Sequence, residues 1–488
     1  MSQVDVLEKQ AKEVLRQVRS LRNLVQPANR LPPELLTSCA TFVSDADPRP
    51  IVPLTHVCRY WRESINRNAR NWKSIGANWK KLVPLCLERA GEVPLVVDIV
   101  VPDSKGDETF LNALLPHVPR IGSLRLTGYS SAETLADDLP GFFASPILRL
   151  TTLELQQTAV PTQLFPSDHS PIPPPFLVVS KLKSLSLTQT PLYPTLFNIT
   201  SLVELKLIGY TNPFHFGTFL ELLISNPSLE LVVLDIQFTM SSVVIPPARK
   251  APLPRLQHLS ITCFHPIDSR GLLSCISLPR GVHLDVQYLT QMDQPPQLGS
   301  FLPSPPTSIH DLLAPITTIK TQLTPQEFHL SGNGSVFTFR SPNTPRTVHW
   351  ELMLFPCAGV RELHTNIYPF GYNDVGISRV LAMLPALETL AISKTPFPHG
   401  LLSALTEVPV LCPALRTIAF FDGDINSSII KELGEAITKR RDSTTTRLYR
   451  VVIVNSTGAP PDLTSIKQLR KCVPCVEVRV DDKLPDLS

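Results

Sequence analysis

Few residue groups in this chain are spaced for bond chemistry. Cys472-Val473-Pro474-Cys475 has the spacing of half a zinc site, but no second close Cys/His pair accompanies it. Four ligands therefore cannot be assembled locally, and core or surface thiols are the simpler reading. Asp422-Gly423-Asp424-Ile425-Asn426 alternates oxygen ligands as a calcium loop does, without the closing glutamate. A turn before a helix from Ser427 accounts for it more simply. Gly332-Asn333-Gly334 lacks the third glycine and the strand-to-helix setting of a dinucleotide site. No GxxxxGK[ST], GxSxG or HExxH occurs, and the 12 histidines are dispersed with no metal-spaced pair on one helix. Basic residues are not interleaved with aromatics, so a nucleic-acid partner is not expected. The expectation is a non-enzyme with no cofactor, no metal and no catalytic residue.

What remains is how the chain builds surfaces. Hydrophobic residues make up 43% and charged residues 18%, enough for a large core. The 49 prolines break long helices and central strands, so short elements and many turns are predicted. The nine cysteines are scattered, odd in number and mostly flanked by apolar residues. That is the pattern of reduced thiols, and a cytoplasmic or nuclear location is expected. Met1-Ser2-Gln3-Val4-Asp5 opens a charged helix without an apolar leader core, and no run of 18 apolar residues occurs, so no membrane partner is expected. Net charge is +3, but residues 1–90 carry 15 Lys+Arg against 8 Asp+Glu, or 15 − 8 = +7. The basic front suits an acidic protein partner or simply solvated helix faces.

From about residue 120 one pattern recurs: apolar, two spacers, apolar, one spacer, apolar. Ile121/Leu124/Leu126, Leu150/Leu153/Leu155, Leu182/Leu185/Leu187, Leu202/Leu205/Leu207, Leu231/Leu234/Ile236 and Leu256/Leu259/Ile261 form a first series. Leu387/Leu390/Ile392, Leu415/Ile418/Phe420 and Leu448/Val451/Ile453 form a second, with Val360/Leu363/Thr365 a weaker copy. A period of roughly 20–30 residues around LxxLxL is that of leucine-rich repeats. Each repeat would give one short strand and stack on the next, making an α/β solenoid with a curved parallel sheet over 81–488. The usual asparagine after the strand is replaced by Thr190 and Tyr210, so its hydrogen-bonded ladder needs a substitute. Residues 286–350, with Pro295-Pro296 and Pro303 to Pro306, are expected to interrupt the series as a proline-rich insertion. Within them Phe328 to Phe339 reads as a β-hairpin about Gly332-Asn333-Gly334. A second proline-rich loop spans Pro161 to Pro175.

The front of the chain is helical. Residues 1–28 hold a heptad helix over 4–25: Leu7, Val14 and Leu21 recur every seven, with Val4, Ala11, Val18 and Val25 between them. This seam permits weak self-association, or packing on the following unit. Residues 29–80 imply three short helices with more large hydrophobes than so small a unit buries, which marks a docking face.

Residues 30–75 resemble the F-box. Leu31-Pro32-Pro33-Glu34 matches its opening, Val57-Cys58-Arg59-Tyr60-Trp61-Arg62 its Val-Cys-x-x-Trp-Arg helix, and Trp72 its later tryptophan. With the repeats, the chain resembles the F-box/leucine-rich-repeat group abundant in fungi. The resemblance implies docking to the Skp adaptor, and through it a cullin, of an SCF-type ubiquitin ligase, with an unidentified protein substrate held by the repeats. The alternative is a scaffold that keeps the F-box without a cullin. Leu31, Pro32, Leu35 and Leu36 would form the entry and first helix. Leu54, Val57, Cys58 and Trp61, spaced i, i+3, i+4, i+7, would share one face of the next helix. Those residues and Trp72 are the expected adaptor contacts. The first helix departs from the family in carrying Ser38-Cys39-Ala40-Thr41 before Phe42 and Val43.

Overall fold

A computed structural model describes residues 3–46, 51–76, 81–101, 108–129, 147–157, 181–190, 199–210, 216–236, 250–263, 266–279, 281–289, 317–323, 327–332, 335–340, 359–366, 374–393, 399–407, 410–421, 425–443, 447–454 and 462–479. The fold is mixed α/β with parallel sheets. It divides into two compact units, Met1–Ser201 and Leu202–Ser488. The strand directly after the helical module already belongs to a sheet.

The first unit opens with α1 (Gln3–Val25), which stops before Pro27. A 3-10 turn (Pro27–Arg30) leads to α2 (Pro33–Ala46), α3 (Ile51–Thr55) and α4 (Arg59–Arg67), then to a second 3-10 turn (Ala69–Trp72). β1 (Ser74–Gly76) follows at once and pairs in parallel with β2 (Leu95–Val100). Between them lies α5 (Val83–Ala90), closed by Gly91. α6 (Glu108–Leu114) leads to β3 (Ile121–Tyr129), β4 (Thr152–Gln157) and β5 (Ser184–Thr188), each parallel to the strand before it. The repeated leucines align rung by rung: Leu124 with Leu153 and Leu185, Leu126 with Leu155 and Leu187. All six are buried. Alternate side chains of a strand share a face, so this register puts every repeat's apolar pair on the same side of the sheet.

The missing asparagine has a substitute. Thr190 is buried after β5, its hydroxyl 3.0 Å from the Thr188 carbonyl and 2.6 Å from the Tyr129 hydroxyl. Tyr129 reaches this point because β3 bulges before it, shifting the register between Thr127 and Tyr129. A bulge flips the side-chain alternation and turns Tyr129 inward. Gly128 at the bulge has φ +90°, and a Cβ there would lie 2.6 Å from the Val101 carbonyl oxygen, so only glycine fits. Burial pushes the Tyr129 hydroxyl up to about 12, with the Thr190 bond acting the other way.

The second unit holds β6 (Glu204–Tyr210), α7 (Phe216–Ser225), β7 (Leu231–Ile236), β8 (Ala251–Pro252), β9 (His258–Cys263), α8 (Pro266–Ser274), β10 (Ile276–Ser277) and β11 (His283–Tyr288). It continues with β12 (Thr318–Leu323), β13 (Glu327–Gly332), β14 (Ser335–Arg340) and β15 (Glu362–Asn366). α9 (Asp374–Ala382), β16 (Thr389–Ser393), α10 (His399–Leu405), β17 (Thr417–Phe421), α11 (Ser427–Ser443), β18 (Arg450–Val454), α12 (Leu463–Cys472) and β19 (Cys475–Arg479) complete it. β6, β7, β9 and β11 pair in parallel in that order. β15 to β19 do the same, with a helix between successive strands from β15 onward. Asn226, fully buried after α7, accepts from the Leu202 amide and donates to the Leu222 carbonyl, holding the helix end against the entry to β6.

Within 286–350 the described strands lie in the sheet. The hairpin is present, with Gly332 opposite Ser335, and β12 joins it as a third strand. The spatial order is β11, β14, β13, β12, β15. Of these five strands β13 alone runs antiparallel to its neighbours. A meander of three strands starts and ends in the same direction, so its two outer strands pair in parallel with β11 and β15. The proline clusters at 294–296 and 303–306 and the loop Pro161 to Pro175 lie outside the described residues.

Candidate docking faces

α2 carries two apolar stripes one residue apart. Leu36 and Ala40 are buried, and Val43 continues their side. Leu35, Cys39 and Phe42, at i, i+4 and i+7, form a second stripe that points outward. Leu35 is 53% exposed and Phe42 82%. Together with exposed Leu31, Pro32 and Val57 they give the helical module its bare apolar surface. The module beneath is firmly set. The buried Asn71 side chain donates to the Ile65 carbonyl at 3.1 Å and lies 2.8 Å from the Thr41 hydroxyl, tying α2 to the end of α4. The Tyr60 hydroxyl donates to the Leu31 carbonyl at 2.6 Å and fixes the entry to α2.

Three sequence expectations need correction here. Leu54, Val57, Cys58 and Trp61 do not lie on one helix. Leu54 is in the last turn of α3, Val57 is in the connection, and Cys58 is extended (φ −159°, ψ 174°) as the residue capping α4. An extended residue cannot continue the helical ladder, and the Arg62 side chain closes the gap by donating to the Thr55 carbonyl at 2.9 Å. Leu36 is interior, so it supports α2 from below and presents nothing outward. Trp72 is interior too, 2% exposed, with the Arg89 guanidinium 4.4 Å above its ring. α5 supplies that cation, so Trp72 joins the module to the sheet. Trp61 is half-buried. The outward residues that spacing should have singled out are Cys39 and Phe42, at i+4 and i+7 from Leu35.

The second face lies on the sheet of the second unit. Across β15–β19, Leu363, Leu390, Ile418, Val451 and Val476 form one buried row. The neighbouring row, on the opposite side by alternation, runs His364, Ala391, Ala419, Val452, Glu477. Ala391, Ala419, Val452 and Val454 cluster there with Phe421 packed against them. They line a shallow hollow of about 330 Å³ rimmed by His364, Arg450 and Arg479. Glu477 accepts from Arg450 at 2.7 Å and from Arg479 at 2.9 Å, and these two guanidiniums hold its carboxyl below the usual range. The corresponding row of the first unit is polar: Arg125 pairs with Glu154 at 3.3 Å, and Ser186 lies beyond. The hollow is thus apolar at its floor and charged at its rim.

Among the described residues no group of three or more His, Cys, Asp or Glu could hold a metal. Cys472 accepts from the Thr438 hydroxyl at 3.4 Å, and Cys475 approaches the Glu477 carboxylate at 3.7 Å. Cys412 is buried against the Leu381 carbonyl at 3.0 Å, and burial pushes its thiol up to about 12, which keeps it unreactive. Asn426 caps α11 through the Ile429 amide at 3.0 Å, as the turn reading required, while Asp422 to Asp424 lie outside the described residues. No described helix is long and apolar enough to cross a membrane.

Neither the family models nor the curated proteins contain a match to the chain. The functional reading therefore rests on the two faces themselves.

Proposed function

We propose that this chain is the substrate-recognition subunit of an SCF-type cullin–RING ubiquitin ligase. In this reading α2 and the residues around it dock a Skp-type adaptor as an F-box does. The parallel strands form a leucine-rich-repeat-like solenoid, and the sheet face around Ala391, Ala419 and Val452 holds the target protein. No residue performs bond chemistry. The rate gain comes from proximity, because a tethered target meets the charged ubiquitin carrier at high effective concentration.

The observation that carries the reading is the second stripe of α2. Leu35, Cys39 and Phe42 leave apolar area in water on a helix whose other stripe already anchors it. A fold gains nothing from that exposure, whereas an interface does. The F-box-like order of Leu31-Pro32-Pro33-Glu34, Val57-Cys58 and Trp61-Arg62 lies in the same module. Capture of the full chain from its native cell tests the proposal: a Skp-type adaptor and a cullin should come with it. Adaptor without cullin would point to the scaffold alternative, and neither protein would reject both.

A further inference from the structure

The seam of α1 is a second bare apolar surface, distinct from the stripe of α2. Val4, Leu7, Val14, Val18, Leu21 and Val25 are each at least 56% exposed, and Ala11 is exposed between them. The helix does have a neighbour in its own chain, but it turns a different face to it. A hollow of about 560 Å³ lies between α1 and the helical module, lined by Lys12, Arg16, Arg19 and Asn23 on one side and Val57 and Arg62 on the other. At about 100° per residue, that basic face lies across the helix axis from the seam. The chain thus turns the polar face of α1 towards the module across an open hollow, and leaves the heptad stripe facing away from it. Most helical stability in proteins comes from packing an apolar face, and α1 leaves its own in water.

We propose that α1 pairs with α1 of a second copy of this chain as a two-stranded coiled coil. The repeat decides the kind of occupant: apolar residues at alternating intervals of three and four call for a helix of the same period. Valine at three of the four first seam positions, with leucine at two of the three second positions, favours two strands. The flanks decide that the partner can be another copy. Gln3, Gln10 and Gln17 run along one edge, and Glu8, Leu15 and Arg22 along the other. Parallel copies set the glutamines against the mixed edge, and antiparallel copies set Glu8 against Arg22 of the second copy. Neither direction brings like charges together, so the seam is self-complementary. The pairing stands whatever covers α2.

Light scattering on the purified full chain tests this directly. The expected mass is that of two 54.1 kDa chains. Leu7→Asp combined with Leu21→Asp should raise the dimer dissociation constant by about tenfold or more, since each places a charge in the seam. Lys9→Glu, on the outer side of the helix, should leave the mass unchanged. Val14→Leu fills the seam without adding charge and should tighten the dimer. A wild-type chain that runs at single mass throughout a concentration series overturns the proposal. So does a Leu7→Asp/Leu21→Asp chain whose dimer dissociates over the same concentrations as the wild type, or a Val14→Leu chain whose dimer is no tighter.

Discussion

Replacing Phe42 by serine should weaken adaptor binding while leaving the fold intact, and the exposure values set the size of each effect. Phe42 is 82% exposed, so nearly all of its apolar area is still available to an interface. Covering such a side chain is worth about 2 kcal/mol, or about thirtyfold in Kd. Leu35 is 53% exposed, so about half of its area is left to gain. Leu35→Ala should therefore cost about 1 kcal/mol, or about fivefold. The two sit on one stripe and the double variant should lose roughly the product, about 150-fold. Leu36→Ala is the contrast. Leu36 is interior, and truncation there should cost about 2–5 kcal/mol of folding stability, while leaving the outward stripe chemically unchanged. The assay is a calorimetric titration of the full chain with a purified Skp-type adaptor, beside a denaturation curve for each variant. The reasoning fails if Phe42→Ser/Leu35→Ala binds with unchanged Kd. It also fails if that variant loses stability as Leu36→Ala does, because the stripe would then be covered within the chain.

Two further perturbations test the interior. Tyr129 is favoured in its neutral form by burial, with a folded value of about 12 against 10.0 for the free side chain. Its contribution is intact below about pH 10 and is lost as pH rises towards about 12, a difference of about 3 kcal/mol. Tyr129→Phe should flatten the alkaline slope of stability measured by urea unfolding across that window; identical slopes would remove the buried hydroxyl from the account. Arg440, 2% exposed, donates to the Leu411 and Cys412 carbonyls at 2.9 and 2.6 Å. Arg440→Leu leaves both carbonyls without that donor and should cost about 2–4 kcal/mol in the same assay.

The parts of the fold legible in the sequence are those where side-chain identity follows directly from position in a repeat. Leu153, Leu185, Leu259 and Leu390 each sit on a strand facing the interior, so the LxxLxL spacing marks these parallel strands. The weaker copy at Val360/Leu363/Thr365 is a strand as well, with all three residues buried. β12–β14 escaped that pattern because a meander needs only alternation and turns, and the hairpin alone was visible, through its glycines. Thr190 could be seen to replace an asparagine, but its partner Tyr129 is 61 residues away and is brought in by a bulge that no spacing rule reports.

The docking stripe was half legible. Leu35 and Leu36 are adjacent, and residue type cannot say which of two neighbours faces inward when both neighbouring faces of a helix are apolar. Packing of α2 against Asn71 decides it, and Phe42 then falls on the outer side. The i, i+3, i+4, i+7 spacing of Leu54 to Trp61 misled because it spans the break between α3 and α4. Cys58 adopts an extended backbone there, and the Arg62 side chain bonds the Thr55 carbonyl across the break.

The central claim is that the stripe of α2 exists to be covered by an adaptor that brings a cullin. The most direct measurement is capture of the tagged full chain from its native cell, wild type beside Phe42→Ser/Leu35→Ala, with the bound proteins identified by mass spectrometry. Recovery of both a Skp-type adaptor and a cullin with the wild type, and of neither with the variant, is the predicted result. Recovery of neither with the wild type, or equal recovery with both chains, would contradict it.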